Sequence, residues 1–222
     1  METVHCMSER IVIVGAGAAG LLAAGKAAES GAEVLLLEKM KLPGRKIGIS
    51  GKGRCNLTNN CDLQEFLNHF GKNGRFLRQA FAVFFTEELH SLFQHLNFPL
   101  QTERGGRVFP GNGKKAVDVV KTLEKWVRSK GCSFSFSTTV KGLTEANGQI
   151  TGVDTNKGHI ACSHLIMATG GSSYPLTGST GDGYPLIEDL GHTIIKVRPA
   201  LVPLVTKPYQ QVQLEWLQLK NV

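Results

Sequence analysis

The sequence predicts an α/β fold built around a parallel βαβ unit near its amino end, and three observations support this. The apolar run Ile11–Val14 is typical of a buried strand, and the run at Val34–Leu37 predicts a second one. Between them lie a G-x-G-x-x-G motif at residues 15–20 and a helix of small residues from about Ala19 to Ser30. The second run ends at Glu38. Strand, glycine turn, helix, strand and acid form the fingerprint of a Rossmann-type dinucleotide site.

Each glycine of the motif has its own predicted task. Gly15 lets the chain turn sharply out of the first strand, and Gly20 lets the helix pack closely on the sheet. Gly17 has no Cβ, so a diphosphate can approach the backbone there. The helix amino terminus adds free N–H groups and a partial positive charge. The candidate cofactor-binding residues of this turn are therefore Gly15, Gly17, Ala18, Ala19 and Gly20.

Glu38 is predicted to bind the ribose hydroxyls, because it follows the second strand at the customary distance from the motif. A carboxylate there would repel a 2′-phosphate. The residues alone therefore leave FAD or NAD open and argue against NADP. The alternative, a tightly packed βαβ unit without a ligand, is disfavoured because strands, turn and acid all lie in register.

Composition indicates a globular chain. Its 222 residues allow a substantial core, 41% are hydrophobic, and no apolar run approaches the ~20 residues of a membrane span. Residues 1–9 are expected to be a disordered lead. They contain no apolar signal core, and this favours a cytoplasmic location. The odd number of cysteines and the lack of a C-x-x-C motif favour a reducing compartment and argue against a metal site; they are Cys6, Cys55, Cys61, Cys132 and Cys162.

The net charge of +7 raises the question of nucleic-acid binding. The basic residues are scattered along the chain rather than gathered into one run with interleaved aromatic residues. An anionic cofactor and a solvated basic face explain the charge equally well, so a nucleic-acid partner is not expected.

A loop rich in glycine and basic residues runs from Pro43 to Asn60. Glycines allow backbone amides to approach an anion, and cations neutralise it. The loop follows the βαβ unit directly, which favours binding of an anion over the alternative, a mobile surface loop. The candidate contacts are Lys39, Arg45, Lys46, Gly51, Gly53, Arg54, Cys55 and Asn56.

The central part of the chain is predicted to be mainly helical. Helices are expected at 62–70, with Asp62 as N-cap, and at 76–85, 86–96 and 116–129. Residues 105–113 are rich in glycine and proline and predict turns.

A three-stranded β-meander is predicted next. A strand begins at 133–136, and residues 138–143 either continue this strand or pair with it. The other two strands are 149–155, which follows the Asn147-Gly148 turn, and 159–161. A further buried strand at His164–Ala168 ends in Thr169, Gly170 and Gly171. This second strand-to-glycine junction would bring more amides to the cofactor. A short helix at 184–190 and a strand at 214–222 complete the prediction.

Four stretches now identify a resemblance. They are IVIVGAGAAG with Glu38, GRKIGISGKGRCNLTN at 44–59, GGRVFPGNGKKAVDVV at 105–120, and ATGGSSYPLTGSTGDGY at 168–184 with PALVPL at 199–204. The chain resembles the amino-terminal part of the two-dinucleotide-fold flavoproteins, and more closely the NAD(P)/FAD-dependent subgroup described as aminoacetone-oxidase-like or bile-acid-pathway flavoproteins. The match spans nearly the whole chain from Arg10.

The resemblance and the meander together imply FAD as the cofactor, held non-covalently. The resemblance implies that the loop from Arg45 to Asn56 runs towards the flavin ring, with Arg54, Cys55 and Asn56 nearest to it. It also implies that Val140 presents its backbone to the adenine. Residues Ala168 to Gly171 would close over the adenosine side.

The resemblance also implies the domain organisation and the activity. Residues 10–197 would be an FAD-binding domain without its carboxy-terminal return, and 198–222 would begin an inserted β-rich cap domain. The expected activity is FAD-dependent oxidoreduction by hydride transfer, with NAD(P)H as a possible donor and an unknown small-molecule substrate. No residue declares itself an acid–base catalyst. The alternatives are an NAD-binding dehydrogenase, a non-catalytic flavin- or nucleotide-binding fragment, and a basic nucleic-acid-associated module.

Overall fold

The computed structural model describes residues 10–199. Its strands are β1 (Arg10–Val14), β2 (Glu33–Glu38), β3 (Thr58–Asn59), β4 (Leu100–Thr102), β5 (Arg107–Pro110), β6 (Ser133–Phe136), β7 (Val140–Ala146), β8 (Gln149–Thr155), β9 (Gly158–Ala161) and β10 (His164–Met167). Its α-helices are α1 (Ala18–Glu29), α2 (Arg45–Ile49), α3 (Leu63–Asn68), α4 (Arg78–Val83), α5 (Thr86–His95), α6 (Ala116–Ser129) and α7 (Gly183–Glu188). Short 3₁₀ helices span Ser50–Gly53, Gly71–Leu77, Arg104–Gly106 and Pro175–Thr177.

A four-stranded parallel sheet forms the centre of the fold, in the order β10-β1-β2-β6. Val12 of β1 lies between Leu35 of β2 and Leu165 of β10. Residues Val12 and Ile13 are fully buried, as expected for a parallel strand covered on both faces. This sheet and the helix after β1 confirm the predicted Rossmann-like fold.

The two faces of the sheet carry different layers. On one face, Ile13 and Leu36 pack in a core with Leu21 of α1, Phe93 of α5 and Val127 of α6. On the other face, a second core joins the sheet to the meander β7-β8-β9 and to α7; its buried members are Val12, Val14, Leu37, Val140, Val153, Cys162 and Leu186. The carboxyl ends of β1, β2 and β10 therefore meet at one edge between these layers.

Several sequence predictions are confirmed in detail. Helix α6 has the predicted bounds, and α1 begins one residue before its predicted start. Asp62 caps α3, since its Oδ1 accepts the Glu65 N–H at 2.8 Å. Asn147 and Gly148 have φ values of 55° and 77°, which are the left-handed angles of a type I′ hairpin turn.

The prediction that 133–136 begins the meander is wrong. This segment is β6, which pairs in parallel with β2 through Leu36 and Phe134. The chain turns at Ser137, where φ is +51°, and only then enters the meander at β7. The local pattern of the two segments is alike, and the parallel partner of β6 lies about a hundred residues earlier, which a local pattern cannot reveal.

The turns predicted at 105–113 are found at Gly105, Gly106 and Gly113, which have positive φ, but the strand between them was not predicted. Residues Arg107–Pro110 form β5, the middle strand of a small antiparallel sheet in the order β3-β5-β4. The predicted helix at 76–85 is shorter than expected, because Gly71–Leu77 forms a 3₁₀ helix and only Arg78–Val83 is α-helical.

Some predictions fall outside the described residues. The expected lead at 1–9, the strand at 214–222 and nearly all of the proposed cap-domain start at 198–222 lie there. Residues 192–199 have no regular secondary structure. Among the helices of residues 10–199, none combines the length and apolar character that a membrane span requires.

Candidate functional site

The glycine turn closes the carboxyl end of β1 against its two neighbours. The Gly15 N–H donates to the Leu37 carbonyl oxygen of β2 at 2.7 Å, and the Ala168 N–H donates to the Val14 carbonyl oxygen at 2.8 Å. Gly15 has φ of +103°, and a Cβ there would lie 2.5 Å from the Ala168 carbonyl oxygen. Glycine is therefore required at this position by both conformation and space.

Gly20 and Gly17 differ in the way the sequence predicts. A Cβ at Gly20 would overlap the Gly15 carbonyl oxygen, so this glycine brings α1 against the turn. A Cβ at Gly17 would meet nothing within 4 Å. Gly17 is the N-cap of α1 and supplies no side-chain cap to the first amides of the helix. The space above Gly17 is therefore open at a helix amino terminus, which suits an anionic group.

The Glu38 carboxylate lies beside this turn. Its Oε2 accepts the Ala16 N–H and its Oε1 accepts the Met40 N–H, both at 2.8 Å and partly buried. The two bonds hold the carboxylate beside the N-cap of α1. A carboxylate offers about four acceptor sites, so lone pairs remain for the two hydroxyls of a ribose. The donor and acceptor set fits a dinucleotide.

A cavity of about 780 Å³ opens at this edge of the sheet. Its volume lies within the range of about 300 to 1,000 Å³ that is typical of small-molecule and cofactor sites. Fourteen of the nineteen residues predicted from the sequence line it: Gly15, Gly17, Ala18, Ala19, Glu38, Lys39, Arg45, Lys46, Cys55, Asn56, Val140, Ala168, Thr169 and Gly170.

Five predicted residues do not line the cavity: Gly20, Gly51, Gly53, Arg54 and Gly171. Gly20 acts through helix packing. Arg54 contacts residues outside the cavity lining. Its guanidinium pairs with Glu103 and lies 4.1 Å from the centre of the Phe109 ring. Their contact with a cofactor stays a prediction.

The loop after α2 has an unusual backbone. Gly51, Lys52, Gly53 and Cys55 all have positive φ, from 54° to 82°. A left-handed conformation is strained for Lys and Cys, and such strain tends to occur at functional sites. It turns Cys55 and Asn56 onto the cavity wall. Burial raises the pKa of the Cys55 thiol, and a hydrogen bond from Ser50 opposes the shift, so the surroundings favour the protonated thiol over the thiolate.

The sequence reasoning missed the loop that covers the other side of the cavity. Lys39 Nζ pairs with Asp182 Oδ2 at 2.7 Å and donates to Thr180 Oγ1 at 2.8 Å. Lys46 Nζ lies 3.3 Å from Ser173 Oγ. The lining residues of this region that were not predicted are Thr177, Gly178, Ser179, Asp182, Gly183 and Tyr184. The turn-rich string SSYPLTGSTGD was the available signal.

The meander supplies the third wall. Val140 is buried and lines the cavity at the start of β7, and its contact with the adenine stays a prediction. Thr138, which was not predicted, is 2% exposed, and its N–H donates to the Glu38 carbonyl oxygen at 2.9 Å. This bond joins the end of β2 to the entry of the meander.

Comparison with known proteins identifies the fold family. The model of the family described as HI0933-like protein Rossmann domain matches residues 9–207. The chain belongs to this family. FAD is the dinucleotide that the family and its relatives support, as the resemblance predicted. Within residues 10–199, no group of three or more His, Cys, Asp or Glu side chains is placed to hold a metal ion.

Two curated relatives illustrate the family. A 3-dehydro-bile acid delta(4,6)-reductase of Clostridium scindens is 34% identical over 203 residues, which are 90% of this chain and 48% of that protein. A ribosomal RNA dihydrouridine synthase of Escherichia coli K12 is 31% identical over 192 residues, 86% of this chain and 47% of that protein. The chain therefore spans about half the length of the curated relatives it matches.

Solved structures share the fold at lower identity. An open-conformation flavocytochrome c3 fumarate reductase aligns with a TM-score of 0.63 and 22% identity, covering 82% of this chain and 41% of that chain. A 3-ketosteroid-delta4-(5alpha)-dehydrogenase of Rhodococcus jostii RHA1 aligns with a TM-score of 0.57 and 18% identity, covering 78% and 48%.

Proposed function

We propose that this chain is the FAD-binding part of an FAD-dependent oxidoreductase. The observation that carries the proposal is that the Glu38 carboxylate is bonded to the Ala16 N–H beside the open N-cap at Gly17. This arrangement supports Glu38 as the ribose acceptor and the start of α1 as the diphosphate site. Family membership supports the same assignment.

The chain's own residues would hold the cofactor in three ways. Amides of Gly17, Ala18 and Ala19 at the start of α1 would bind the diphosphate. Glu38 would accept the ribose hydroxyls. Cys55 and Asn56 would lie towards the flavin ring; both follow the left-handed loop and line the same cavity.

We further propose that the flavin serves a reduction of a carbon–carbon double bond. The names of both curated relatives describe the addition of hydrogen, one to a delta(4,6) bile acid and the other to uridine. Bound FAD supplies the redox chemistry, and the protein supplies binding, orientation and electrostatics. NAD(P)H is the proposed electron donor. No described residue is assigned as acid–base catalyst.

A titration of the purified chain with FAD tests the cofactor. We expect saturable binding with one FAD per chain and a shifted flavin absorption spectrum, and we expect NAD and NADP not to displace it. The Glu38→Ala variant should weaken binding, while Glu145→Ala, an exposed change in the meander, should not. A colourless protein that binds NAD but not FAD would falsify the proposal.

Turnover is tested separately from binding. Oxidation of NADH or NADPH by the FAD-loaded chain, followed with an artificial electron acceptor, would show that this length of chain is active. FAD binding without turnover would instead favour the non-catalytic flavin-binding alternative. A cytoplasmic location is also part of the proposal; the unpaired thiols of Cys55, Cys61, Cys132 and Cys162 support it.

A further inference from the structure

A row of three cations follows from the spacing of Lys72, Arg75 and Arg78. The segment Gly71–Leu77 is a 3₁₀ helix, and Arg78 begins α4 directly after it. A 3₁₀ helix has three residues per turn, so side chains three apart lie above one another. Lys72 and Arg75 are therefore stacked on one face, and Arg78 continues the row.

The row faces a polar depression of about 530 Å³. The opposite wall is α3, which contributes Gln64 and Asn68. The two amides are joined by a bond from Gln64 Nε2 to Asn68 Oδ1 at 3.0 Å, and Arg78 Nη2 donates to Gln64 Oε1 at 2.9 Å. The depression is thus lined by cations and neutral amides, with Leu67 and Gly71 completing it.

The three cations lack carboxylate partners within the described part of the chain. Several other basic residues there are paired, such as Arg10 with Glu33 and Lys130 with Glu29. The two nearby acids, Glu65 of α3 and its N-cap Asp62, do not line the depression. Like charges one turn apart repel each other and destabilise a helix, so this row favours a bound anion.

The fold holds the row in place by a specific contact. Gly74 is buried, and a Cβ there would overlap the Leu67 carbonyl oxygen of α3. The glycine lets the 3₁₀ helix press against α3, which brings the cations to the amides. The 3₁₀ run of seven residues is itself longer than the usual three or four, so the packing against α3 holds a segment whose backbone hydrogen bonds alone are weak.

We propose that Lys72, Arg75 and Arg78 form a binding site for the phosphate group of a ligand. A phosphate dianion matches a row of cations, and arginine binds phosphate oxygens in bidentate fashion. None of the residues of this site lines the FAD cavity. The proposal therefore stands independently of the proposed function, and the two can fail separately.

Calorimetric titration of the FAD-saturated chain with inorganic pyrophosphate at constant ionic strength tests the site. FAD saturation keeps the probe out of the cofactor cavity. We expect saturable binding, and the Lys72→Gln/Arg75→Gln/Arg78→Gln variant should lose about tenfold or more in affinity, the loss expected from a few charge-assisted hydrogen bonds. An unchanged circular dichroism spectrum and melting temperature would show that this variant is folded, whether or not the chain binds FAD.

The matched control removes three exposed cations elsewhere, in Lys121→Gln/Lys125→Gln/Lys141→Gln. We expect it to bind pyrophosphate as the parent does. Equal losses in the two variants would mean that only diffuse charge acts, and would overturn the proposal, as would the absence of saturable binding. Separate titrations with a mononucleotide and with a single-stranded oligonucleotide show whether the phosphate belongs to a small molecule or to a polymer. Whichever of the two ligands binds, the site variant must bind it more weakly than the control variant does.

Discussion

Lys39 and Asp182 form a salt bridge of 2.7 Å that joins the end of β2 to the loop before α7. Lys39 directly follows Glu38, the proposed ribose acceptor, and both residues of the pair line the cavity. The same ammonium donates to Thr180, and a Cβ at Gly178 would lie 2.9 Å from Met40 Cγ. These contacts therefore hold the loop at 178–182 against the end of β2, beside the glycine turn.

The first prediction follows from this bridge. The Lys39→Met variant should release FAD several times faster than the parent, because the loop is no longer fixed across the cavity. Both side chains are partly exposed, at 22% and 39%, so the pair is expected to stabilise the loop by about 1 kcal/mol at most. Stopped-flow measurement of FAD dissociation checks this.

The control for that prediction is Lys130→Met, which removes the 3.2 Å pair with Glu29 away from the cavity. Its FAD release should match the parent. Asp182→Asn should resemble Lys39→Met, and the double variant should add little to either, since both changes remove one interaction. Fully additive effects would show that the bridge does not govern release.

The second prediction separates cofactor binding from stability at Gly17. This residue has φ of −80° and ψ of −167°, an extended conformation that any residue adopts, and space for a side chain. Aspartate is a better N-cap than glycine, so Gly17→Asp should raise thermal stability or leave it unchanged. The added carboxylate would occupy the diphosphate position, so FAD binding should be lost.

Gly17→Asn is the neutral counterpart, with a similar cap and no charge. It should keep the stability and weaken FAD less than Gly17→Asp does. Gly20→Ala behaves oppositely, because its Cβ overlaps the Gly15 carbonyl oxygen; we expect a loss of about 3 kcal/mol in unfolding free energy. Unchanged FAD affinity in Gly17→Asp would place the diphosphate elsewhere.

The contrast between Gly17 and Gly20 also shows what the sequence could predict. Local signals with fixed geometry predicted the βαβ unit and the position of Glu38 beside its glycine turn. These signals are the glycine motif and the apolar runs. The pairing of β6 with β2 and of β5 with β3 joins distant segments, so neither could be read locally. Arg54 lies in the correct loop, but its contact with Glu103 and Phe109 depends on that unpredicted small sheet.

The third prediction concerns the cysteines. Burial raises the pKa of the Cys55, Cys132 and Cys162 thiols above the ordinary value of about 8.5. The folded chain therefore holds its thiol protons more tightly than the unfolded chain. The stability from this source is complete below the ordinary thiol pKa and is lost as the pH rises through the folded pKa. Thermal melts between pH 7 and 10 should show the midpoint falling at alkaline pH.

Alkylation of the same thiols tests the proposed cavity. Cys55 lines the cavity, whereas Cys132, directly before β6, is buried against α1, where its Sγ lies 3.2 Å from the Ala24 carbonyl oxygen. FAD should therefore slow alkylation of Cys55 at pH 9 more than that of Cys132, as measured by mass spectrometry of the peptides. Equal protection of both would indicate that FAD acts only through global stability.

The fourth prediction concerns the contact of α1 with α6. Gly25 is buried beneath the Trp126 indole, and a Cβ there would overlap the ring. Gly25→Ala should therefore lower the unfolding free energy by about 1 to 3 kcal/mol, the usual effect of overpacking, despite the better helix propensity of alanine. Gly48→Ala in α2 is the matched control: its Cβ would meet nothing within 4 Å, and we expect about 0.4 to 1 kcal/mol of stabilisation. Denaturant titration measures both; equal stabilisation by the two substitutions would show that α1 and α6 do not pack through this contact.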